Sequence, residues 1–252
     1  MKTSSGYFLT HRFWRRLRTF VPGPLWARLY SIRERWLSQS FLRVLADAVS
    51  DVVPSLAENE AGLKQDLQPI ESLWCRFNAI GKRESGYGAV YGEIIGDLPP
   101  VSNVLEIGVA GGGSLRAWSA LWPGASVFGI DIDPATMIEE NRITTVVANQ
   151  LSIEDLTRAA EEMPNRFELI VDDGWHQPEA GLKSLSVFLP RLSRGGYYVV
   201  EDIAWRRYRR IWKKAMLGLA GKYQVTFRVI DSSFSRQTTG GKYGLMIVRR
   251  FR

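Results

Sequence analysis

The sequence is poor in cysteine and histidine, which limits the metal chemistry it can support. Its 252 residues include one cysteine, Cys75, and two histidines, His11 and His176. A single cysteine excludes internal disulfides and a cysteine-based zinc site. A non-haem iron centre is disfavoured, because such centres commonly combine two histidines with a carboxylate and only His176 lies outside the N-terminal stretch. Cys75 has apolar neighbours and is predicted to be a buried thiol on a helix.

Long apolar runs are also absent. None reaches the roughly 18 residues that a membrane-spanning helix needs. The hydrophobic content of 45% can form a full core, and the length suits one large α/β domain with an appendage. We therefore expect a cytoplasmic globular protein, with a peripheral position at the inner membrane surface as the alternative.

The net charge of +7 comes from the first 50 residues. They contain nine lysines and arginines against two acidic residues, whereas the rest of the chain has 24 of each sign. Aromatic residues and leucines between the basic residues predict two amphipathic helices. Three interpretations remain open: packing on the main domain or on a sister subunit in a homo-oligomer, contact with a membrane surface, or a nucleic-acid-binding arm. The neutral remainder makes nucleic acid the least favoured partner. We divide the chain into an arm with its linker, 1–70, and a main domain, 71–252.

Beyond the arm, strand and helix patterns alternate. This order predicts an α/β fold, a Rossmann-like doubly wound sheet that ends in an antiparallel hairpin. One or two helices are expected between 70 and 95. The predicted strands cover 103–107, 127–131, 144–148, 167–172, 197–201, 223–230 and 244–250, and the later helices begin near 114 and cover 153–163, 179–189 and 205–219.

A glycine-rich loop follows the first predicted strand, with the sequence E-I-G-V-A-G-G-G-S over 106–114. Glycines allow close approach of a ligand, and the helix that follows offers unpaired N–H groups. The spacing does not fit the G-x-G-x-x-G of dinucleotide-binding folds. At the end of the next predicted strand, Asp131 can accept both hydroxyls of a ribose. Asp133 is the second candidate for that role.

This loop resembles the E/D-x-G-x-G-x-G loop of class I S-adenosylmethionine-dependent methyltransferases, with Ala110 in place of the middle glycine. The resemblance implies S-adenosyl-L-methionine as the cofactor. Gln150 is expected near the adenine, while Asp172 is open between a cofactor contact and a supporting carboxylate. The candidate cofactor-binding residues are Glu106, Gly108, Ala110, Gly111, Gly112, Ser114, Asp131, Asp133, Gln150 and Asp172.

Two predicted strands end in acidic residues, the first in D-D-G and the second in E-D. In a class I methyltransferase sheet these two strands are neighbours, so the carboxylates converge. Converging carboxylates repel each other unless a cation compensates, and oxygen ligands favour Mg²⁺, Mn²⁺ or Ca²⁺ over zinc. We predict Asp173, Glu201 and Asp202 as the metal ligands. Capping of the helices that follow is the alternative for both acidic pairs.

The motif D-D-G-x-H, followed by G-G-x-Y-V-x-E-D, resembles the metal-dependent sugar O-methyltransferases of macrolide biosynthesis over residues 80–205. The resemblance implies that Asp173, Glu201 and Asp202 bind Mg²⁺ (or Mn²⁺) and that His176 is the general base, with Asp173 beside it at the catalytic site. A sugar hydroxyl is a weak nucleophile, so metal coordination and proton removal by an imidazole both suit the reaction. The expected acceptor is a sugar hydroxyl of a natural product, polysaccharide or glycolipid.

Other functions remain open from the sequence. A catechol-type or other small-molecule O-methyltransferase also uses a metal and carboxylates. A cephalosporin-hydroxylase-like enzyme is disfavoured by the histidine count. A nucleic-acid-binding protein that uses the arm is the alternative from a different class. The basic segment at 205–214 is equally compatible with a substrate contact and with a solvated helix face.

Overall fold

The computed structural model describes residues 69–230 and 243–251, which form an eight-stranded sheet with helices on both faces. Almost the whole predicted arm, 1–68, lies outside the described residues, so its helices and its role in oligomers or at membranes stay predictions. Within the described residues, no helix is both long and apolar enough to cross a membrane.

Three helices precede the sheet: α1 (Pro69–Arg76), α2 (Ile80–Glu84) and α3 (Gly88–Asp97). The strands are β1 (Asn103–Ile107), β2 (Ser126–Asp131), β3 (Glu139–Glu140), β4 (Ile143–Val147), β5 (Phe167–Asp172), β6 (Leu192–Ala204), β7 (Tyr223–Ile230) and β8 (Tyr243–Arg250). The later helices are α4 (Gly113–Leu121), α5 (Ile153–Glu161), α6 (Pro178–Phe188) and α7 (Trp205–Leu219), with short 3₁₀ turns at Pro134–Thr136 and Leu189–Arg191.

The strand order is β3-β4-β2-β1-β5-β6-β8-β7. Neighbours from β4 to β6 run parallel, while β8 is antiparallel to both β6 and β7. The prediction of a doubly wound sheet with a C-terminal antiparallel hairpin is confirmed. The largest difference is at β6, which covers Leu192–Ala204 rather than 197–201, because residues 193–196 are polar or glycine and show no strand pattern.

Helices α1 to α4 cover one face of the sheet around a group of aromatic rings. The Tyr91 ring lies 5.5 Å from both Trp74 and Trp118, and the two tryptophans are 6.2 Å apart. All three side chains are fully buried, and each burial contributes on the order of 2 kcal/mol. The cluster therefore anchors the first three helices to the sheet.

Cys75 departs from its prediction. It lies on α1 as expected, but its side chain is exposed. Because successive helical residues are rotated by about 100°, α1 directs Trp74 into the core and Cys75 to solvent. The predicted helix is correct, but its buried face includes Trp74 and not Cys75.

The acidic motifs meet at the carboxyl ends of β1, β2, β5 and β6. Strand β1 lies between β2 and β5. Successive strands are added on one side of β1 up to β4 and on the other side from β5 onward. Open α/β sheets bind ligands at such a switch point, because loops diverge there and leave a crevice. The topology thus places the glycine loop and both acidic strand ends at one edge.

Main-chain atoms join the glycine loop to the acidic loop after β5. Gly108 has φ of +99°, and a Cβ there would lie 2.3 Å from the carbonyl oxygen of Asp173. The Asp173 amide donates to the Ile107 carbonyl at 2.8 Å, and the Gly108 amide donates to the Ile130 carbonyl at 2.7 Å. Only glycine fits both the conformation and the space at position 108.

We therefore expect Gly108→Ala to lower the free energy of unfolding by at least about 2 kcal/mol, since its methyl group would meet backbone in a left-handed conformation. Urea denaturation of the full chain measures this loss. Gly111→Ala is the matched control, because a Cβ at Gly111 meets nothing within 4 Å. Equal stability of the two variants would contradict the close approach of the two loops.

Candidate functional site

A buried lysine lies at the centre of the acidic edge. The Lys82 ammonium on α2 is 3.0 Å from Glu106 Oε1, 2.8 Å from Asp173 Oδ2 and 2.7 Å from Glu201 Oε2. Its side chain is 6% exposed, so the four charges interact with little solvent screening. One cation therefore connects α2 to the ends of three adjacent strands.

This arrangement sets the charge of each partner. Burial by itself lowers the pKa of Lys82, but the carboxylates of Asp173, Glu106 and Glu201 outweigh it and raise that pKa well above its ordinary value. Burial raises the pKa of Glu106 and Glu201, with Lys82 opposing the shift in both. The lysine therefore stays protonated, whereas burial favours the neutral form of both glutamates and Lys82 opposes that effect.

Two tyrosines on α3 complete the network. The Tyr91 hydroxyl donates to Glu201 Oε1, and the Tyr87 hydroxyl donates to Asp202 Oδ1. Their i, i+4 spacing places both phenols on one face of the helix. Burial, assisted by the neighbouring carboxylates, raises the pKa of both hydroxyls, so they remain protonated donors.

These donors leave one oxygen of each aspartate directed at His176. Lys82 binds Oδ2 of Asp173, and Tyr87 binds Oδ1 of Asp202. The His176 Nε2 atom is 4.0 Å from the other oxygen of Asp173 and 3.7 Å from the other oxygen of Asp202. Both distances are too long for a direct hydrogen bond, so neither carboxylate holds the imidazole nitrogen. One donor atom from each of the three residues lies within 4.8 Å of the others, a spacing that can hold a metal ion.

Backbone strain is concentrated at this edge. Ala110, His176 and Asp202 adopt positive φ values of 48°, 57° and 51°, a left-handed conformation that costs non-glycine residues about 1 kcal/mol or more. The fold maintains this conformation in the glycine loop, in the loop after β5 and at an irregular position near the end of β6. Such clustering is typical of functional sites.

Glu201 departs from the predicted ligand set. Its side chain is 1% exposed, and its two oxygens accept from Lys82 and Tyr91. The donor group that forms among the described residues contains Asp173, Asp202 and His176 instead. Glu201 lies one residue before Asp202, where the positive φ of Asp202 and a register shift between Val200 and Ile203 interrupt the regular alternation of the strand.

The cofactor candidates Glu106 and Ser114 are both buried. Glu106 accepts from Ser114 Oγ at 2.9 Å and from Trp118 Nε1 at 2.7 Å, in addition to Lys82. The carboxylate thus holds the first turn of α4 beneath the loop and offers no free surface to a ligand. Ala110 and Gly111 are exposed at the tip of the loop, and Gly112 is buried.

Asp131 lies beside that loop. Its Oδ2 accepts from the amides of Val109 at 2.9 Å and Ala110 at 3.2 Å, and its Oδ1 accepts from the Asp133 amide at 3.0 Å. Asp133 in turn caps the 3₁₀ turn through the Ala135 amide. A carboxylate has about four acceptor positions, so Asp131 can still receive further hydroxyl donors.

Asp172 and Gln150 lie on the opposite face of the sheet. Gln150 Nε2 donates to Asp172 Oδ1 at 2.7 Å and to Ser184 Oγ at 2.9 Å, and its Oε1 accepts from the Trp175 amide at 2.8 Å. Burial raises the pKa of Asp172 to about 6. These contacts connect the acidic loop to α6, which corresponds to the supporting role left open for Asp172 and places the Gln150 amide within the same buried network.

Sequence reasoning missed Lys82, Tyr87 and Tyr91. Lys82 stands in a G-K-R-E segment beside Arg83, which is exposed, and nothing local distinguishes the two. The tyrosine spacing indicated a buried helix face, but a core phenol and a site phenol share that pattern. The signal that could have indicated a buried lysine was the convergence of several carboxylates. Their charge was expected to be compensated by a metal ion alone.

Replacing Lys82 by methionine should lower the free energy of unfolding by about 3 kcal/mol, because buried Glu106 and Glu201 and partly exposed Asp173 lose their shared cation. Equilibrium denaturation in guanidinium measures the change. Arg83→Met removes an exposed charge from the next position and should shift stability by less than about 0.5 kcal/mol. A Lys82 variant as stable as the Arg83 variant would show that this ion cluster does not hold α2 in place.

Curated relatives match part of the chain. Demethylmacrocin O-methyltransferase of Streptomyces fradiae is 38% identical over 112 residues, and mycinamicin VI 2''-O-methyltransferase of Micromonospora griseorubida is 37% identical over 112 residues. A Streptomyces olivaceus relative, 8-demethyl-8-(2-methoxy-alpha-L-rhamnosyl)-tetracenomycin-C 3'-O-methyltransferase, is 35% identical over 112 residues. Each alignment covers 42% of this chain, and the chain spans only 28% of the length of these relatives. No protein-family model matches the chain.

A solved structure matches a larger part of the chain. The MycE methyltransferase of the mycinamycin biosynthetic pathway, solved in complex with Mg, SAH and mycinamycin VI, aligns with a TM-score of 0.51 and 21% identity. The alignment covers 74% of this chain and 54% of that chain. The described residues therefore have the class I methyltransferase fold, and the chain is homologous over part of its length to natural-product sugar O-methyltransferases.

Proposed function

We propose that the protein is a Mg²⁺-dependent O-methyltransferase that transfers the methyl group of S-adenosylmethionine to a sugar hydroxyl. The observation that carries the proposal is the direct contact between the two halves of the site. Gly108 of the glycine loop lies against the Asp173 main chain, and Asp173 belongs to the donor group with His176 and Asp202. A methyl donor held by the loop would thus be next to an acceptor held by that group.

The glycine loop and Asp131 form the cofactor half. The loop tip is exposed and ends at the amino terminus of α4, where unpaired N–H groups favour negative charge such as the donor's carboxylate. Asp131 stands at the end of the neighbouring strand with acceptor positions left for ribose hydroxyls. When bound, the sulfonium would supply the electrophilic methyl group.

The donor set fits a hard divalent cation. Asp173 and Asp202 each present one carboxylate oxygen that forms no hydrogen bond within the described part of the chain, and such oxygens are the ligands that Mg²⁺ and Mn²⁺ prefer. Lys82 binds the inner oxygen of Asp173 and Tyr87 binds that of Asp202, so the two outer oxygens are left for a cation. When bound, the cation would make an acceptor hydroxyl more acidic.

The side chains around Asp173 and Asp202 have different roles. Lys82 and Tyr87 hold the inner oxygens of Asp173 and Asp202, which orients the outer oxygens toward His176. The imidazole is 38% exposed, and no carboxylate oxygen of the described residues lies within hydrogen-bonding distance of its Nε2 atom. We assign to Nε2 the acceptance of the hydroxyl proton, while the surrounding fold keeps acceptor and methyl donor aligned.

His176→Ala should reduce turnover by at least about 10²-fold, since general bases typically contribute 10² to 10⁴. Affinity for S-adenosylmethionine, measured by calorimetry, should stay within about twofold, because His176 lies outside the glycine loop. A variant with the wild-type rate would remove His176 as the base, and one that loses cofactor affinity would indicate a structural role instead.

Asp202→Asn should weaken Mg²⁺ binding at least tenfold in calorimetric titration and abolish turnover, because it removes one of the two outward carboxylate charges. Glu162→Gln, which neutralises an exposed acid away from the site, is the control. EDTA should stop the wild-type reaction and Mg²⁺ should restore it. Unchanged activity after chelation would end the metal assignment.

The proposal of a sugar acceptor is supported by the names of the partial relatives, one of which includes a rhamnosyl group. A panel of monosaccharides, oligosaccharides, glycolipids and catechols with labelled methyl donor tests it. Methylation of a sugar hydroxyl is the expected result. Transfer to catechols alone would leave a metal-dependent O-methyltransferase with a phenolic substrate.

The assignment of 71–252 as the methyltransferase domain in the cytoplasm, and of the arm as an oligomer contact, belongs to the same proposal. It is supported by the extent of the described fold and by the composition of the arm. The mass of the full chain in solution tests the arm, since a monomer would contradict oligomer formation.

A further inference from the structure

Helix α7 carries a strong positive charge, to which the proposed methyl transfer assigns no role. Its sequence contains six lysines and arginines and no acidic residue. Five of these basic residues have described side chains, all of them exposed: Arg207, Arg209, Arg210, Lys213 and Lys214.

The helix has a packed face and an open face. The packed face fits into the core against α6 and the sheet and contains Tyr208, Trp212, Ala215, Met216 and Leu219. Positions 207, 210, 214 and 217, at helical spacings of three and four, form the open face. Arg210 and Lys214 are central to it, so the positive charge is directed away from the protein.

Carboxylates do not neutralise this face. Elsewhere on the described surface, basic side chains pair with acids, as in Lys183 with Glu179 at 2.8 Å and Arg228 with Glu93 at 3.0 Å. None of the ion pairs found among residues 69–230 and 243–251 involves a side chain of α7. The open face therefore has the charge of a surface that binds anions.

Apolar side chains are exposed among the charges. Leu217 is 77% exposed and Ile211 is 44% exposed. A groove of about 630 Å³ between α6 and α7 is lined by Leu182, Ile211, Ala215, Arg210 and Lys214. Cations bordering an aliphatic groove match an amphipathic anion, in which a phosphate is joined to hydrocarbon.

We propose that the open face of α7 docks on a bilayer surface that contains anionic lipids. Arg210 and Lys214 bind headgroup phosphates, while Leu217 and Ile211 enter the boundary between headgroups and acyl chains. Exposed aliphatic side chains favour lipid over nucleic acid, which would use aromatic stacking. Among the described side chains in the first turn of α7, the aromatic Tyr208 packs into the core and donates to Gln177 at 2.6 Å.

The first turn of α7 lies near the candidate site and contacts it through the packed face. Helix α7 starts three residues after Asp202, and Gln177, the partner of Tyr208, directly follows His176. Docking through α7 would place the site close to the membrane surface, where a lipid-borne acceptor is accessible. The docking itself is independent of methyl transfer and is tested without it.

Local insertion is measured with an environment-sensitive fluorophore on the full-length chain. The label is placed at Leu217→Cys in a Cys75→Ser background, and the native protein labelled at Cys75, which is exposed on α1 across the sheet, is the control. Vesicles of phosphatidylcholine with phosphatidylglycerol should shift the emission of the Leu217 label to the blue and leave the Cys75 label unchanged. Pure phosphatidylcholine vesicles should shift neither label.

Affinity is measured by vesicle co-sedimentation. The double variant Arg210→Gln and Lys214→Gln should bind anionic vesicles roughly tenfold more weakly than the wild type, because each basic residue near an anionic surface adds to binding. Arg76→Gln with Arg83→Gln removes two exposed charges on the opposite layer and should bind like the wild type.

Three outcomes would overturn the proposal. The first is a Leu217 label whose emission does not change with anionic vesicles. This result would be obtained even if the protein bound the vesicles through another part of the chain. The second is equal vesicle binding by the two double variants. The third is salt-dependent RNA binding that is lost in the α7 variant while its vesicle binding is intact, which would make the face a nucleic-acid surface.

Discussion

The ion cluster around Lys82 is the interaction on which the rest of the site depends. One ammonium holds carboxylates from β1, β5 and β6 together, although like charges at this spacing would otherwise separate. It also fastens the helices before the sheet to the edge where the ligand loops diverge. Because Lys82, Glu106 and Glu201 are buried, the cluster fixes the relative positions of the strand ends at this edge.

The same cluster couples the two halves of the proposed reaction. Glu106 holds the first turn of the helix after the glycine loop, and Asp173 presents its outer oxygen to the metal position. Gly108 brings the two loops into main-chain contact. A shift in either half would therefore be transmitted to the other through short, buried contacts, which suits a transfer that requires precise alignment of donor and acceptor.

The two faces of the sheet have different tasks. Helices α2 and α3 supply Lys82, Tyr87 and Tyr91, which set the charge and orientation of the outward carboxylates. On the other face, Gln150 fixes the acidic loop from beneath, and α7 extends from the site as a basic surface. One face thus orients the carboxylates, while the other supports the acidic loop and carries the basic helix for which surface attachment is proposed.

The sequence by itself determined the order of strands and helices, since apolar periodicity and glycine positions are local properties. It also predicted that Asp173 and Asp202 converge near His176, because the ends of neighbouring parallel strands meet, and the three side chains lie together. Only the tertiary structure decided that Glu201 turns inward while Asp202 faces out, and that Lys82 rather than Arg83 is the buried cation. Those choices depend on how α2 and α3 pack against the sheet. A rotation of a helix by one residue would bury a different charged side chain, and the local sequence does not indicate that rotation.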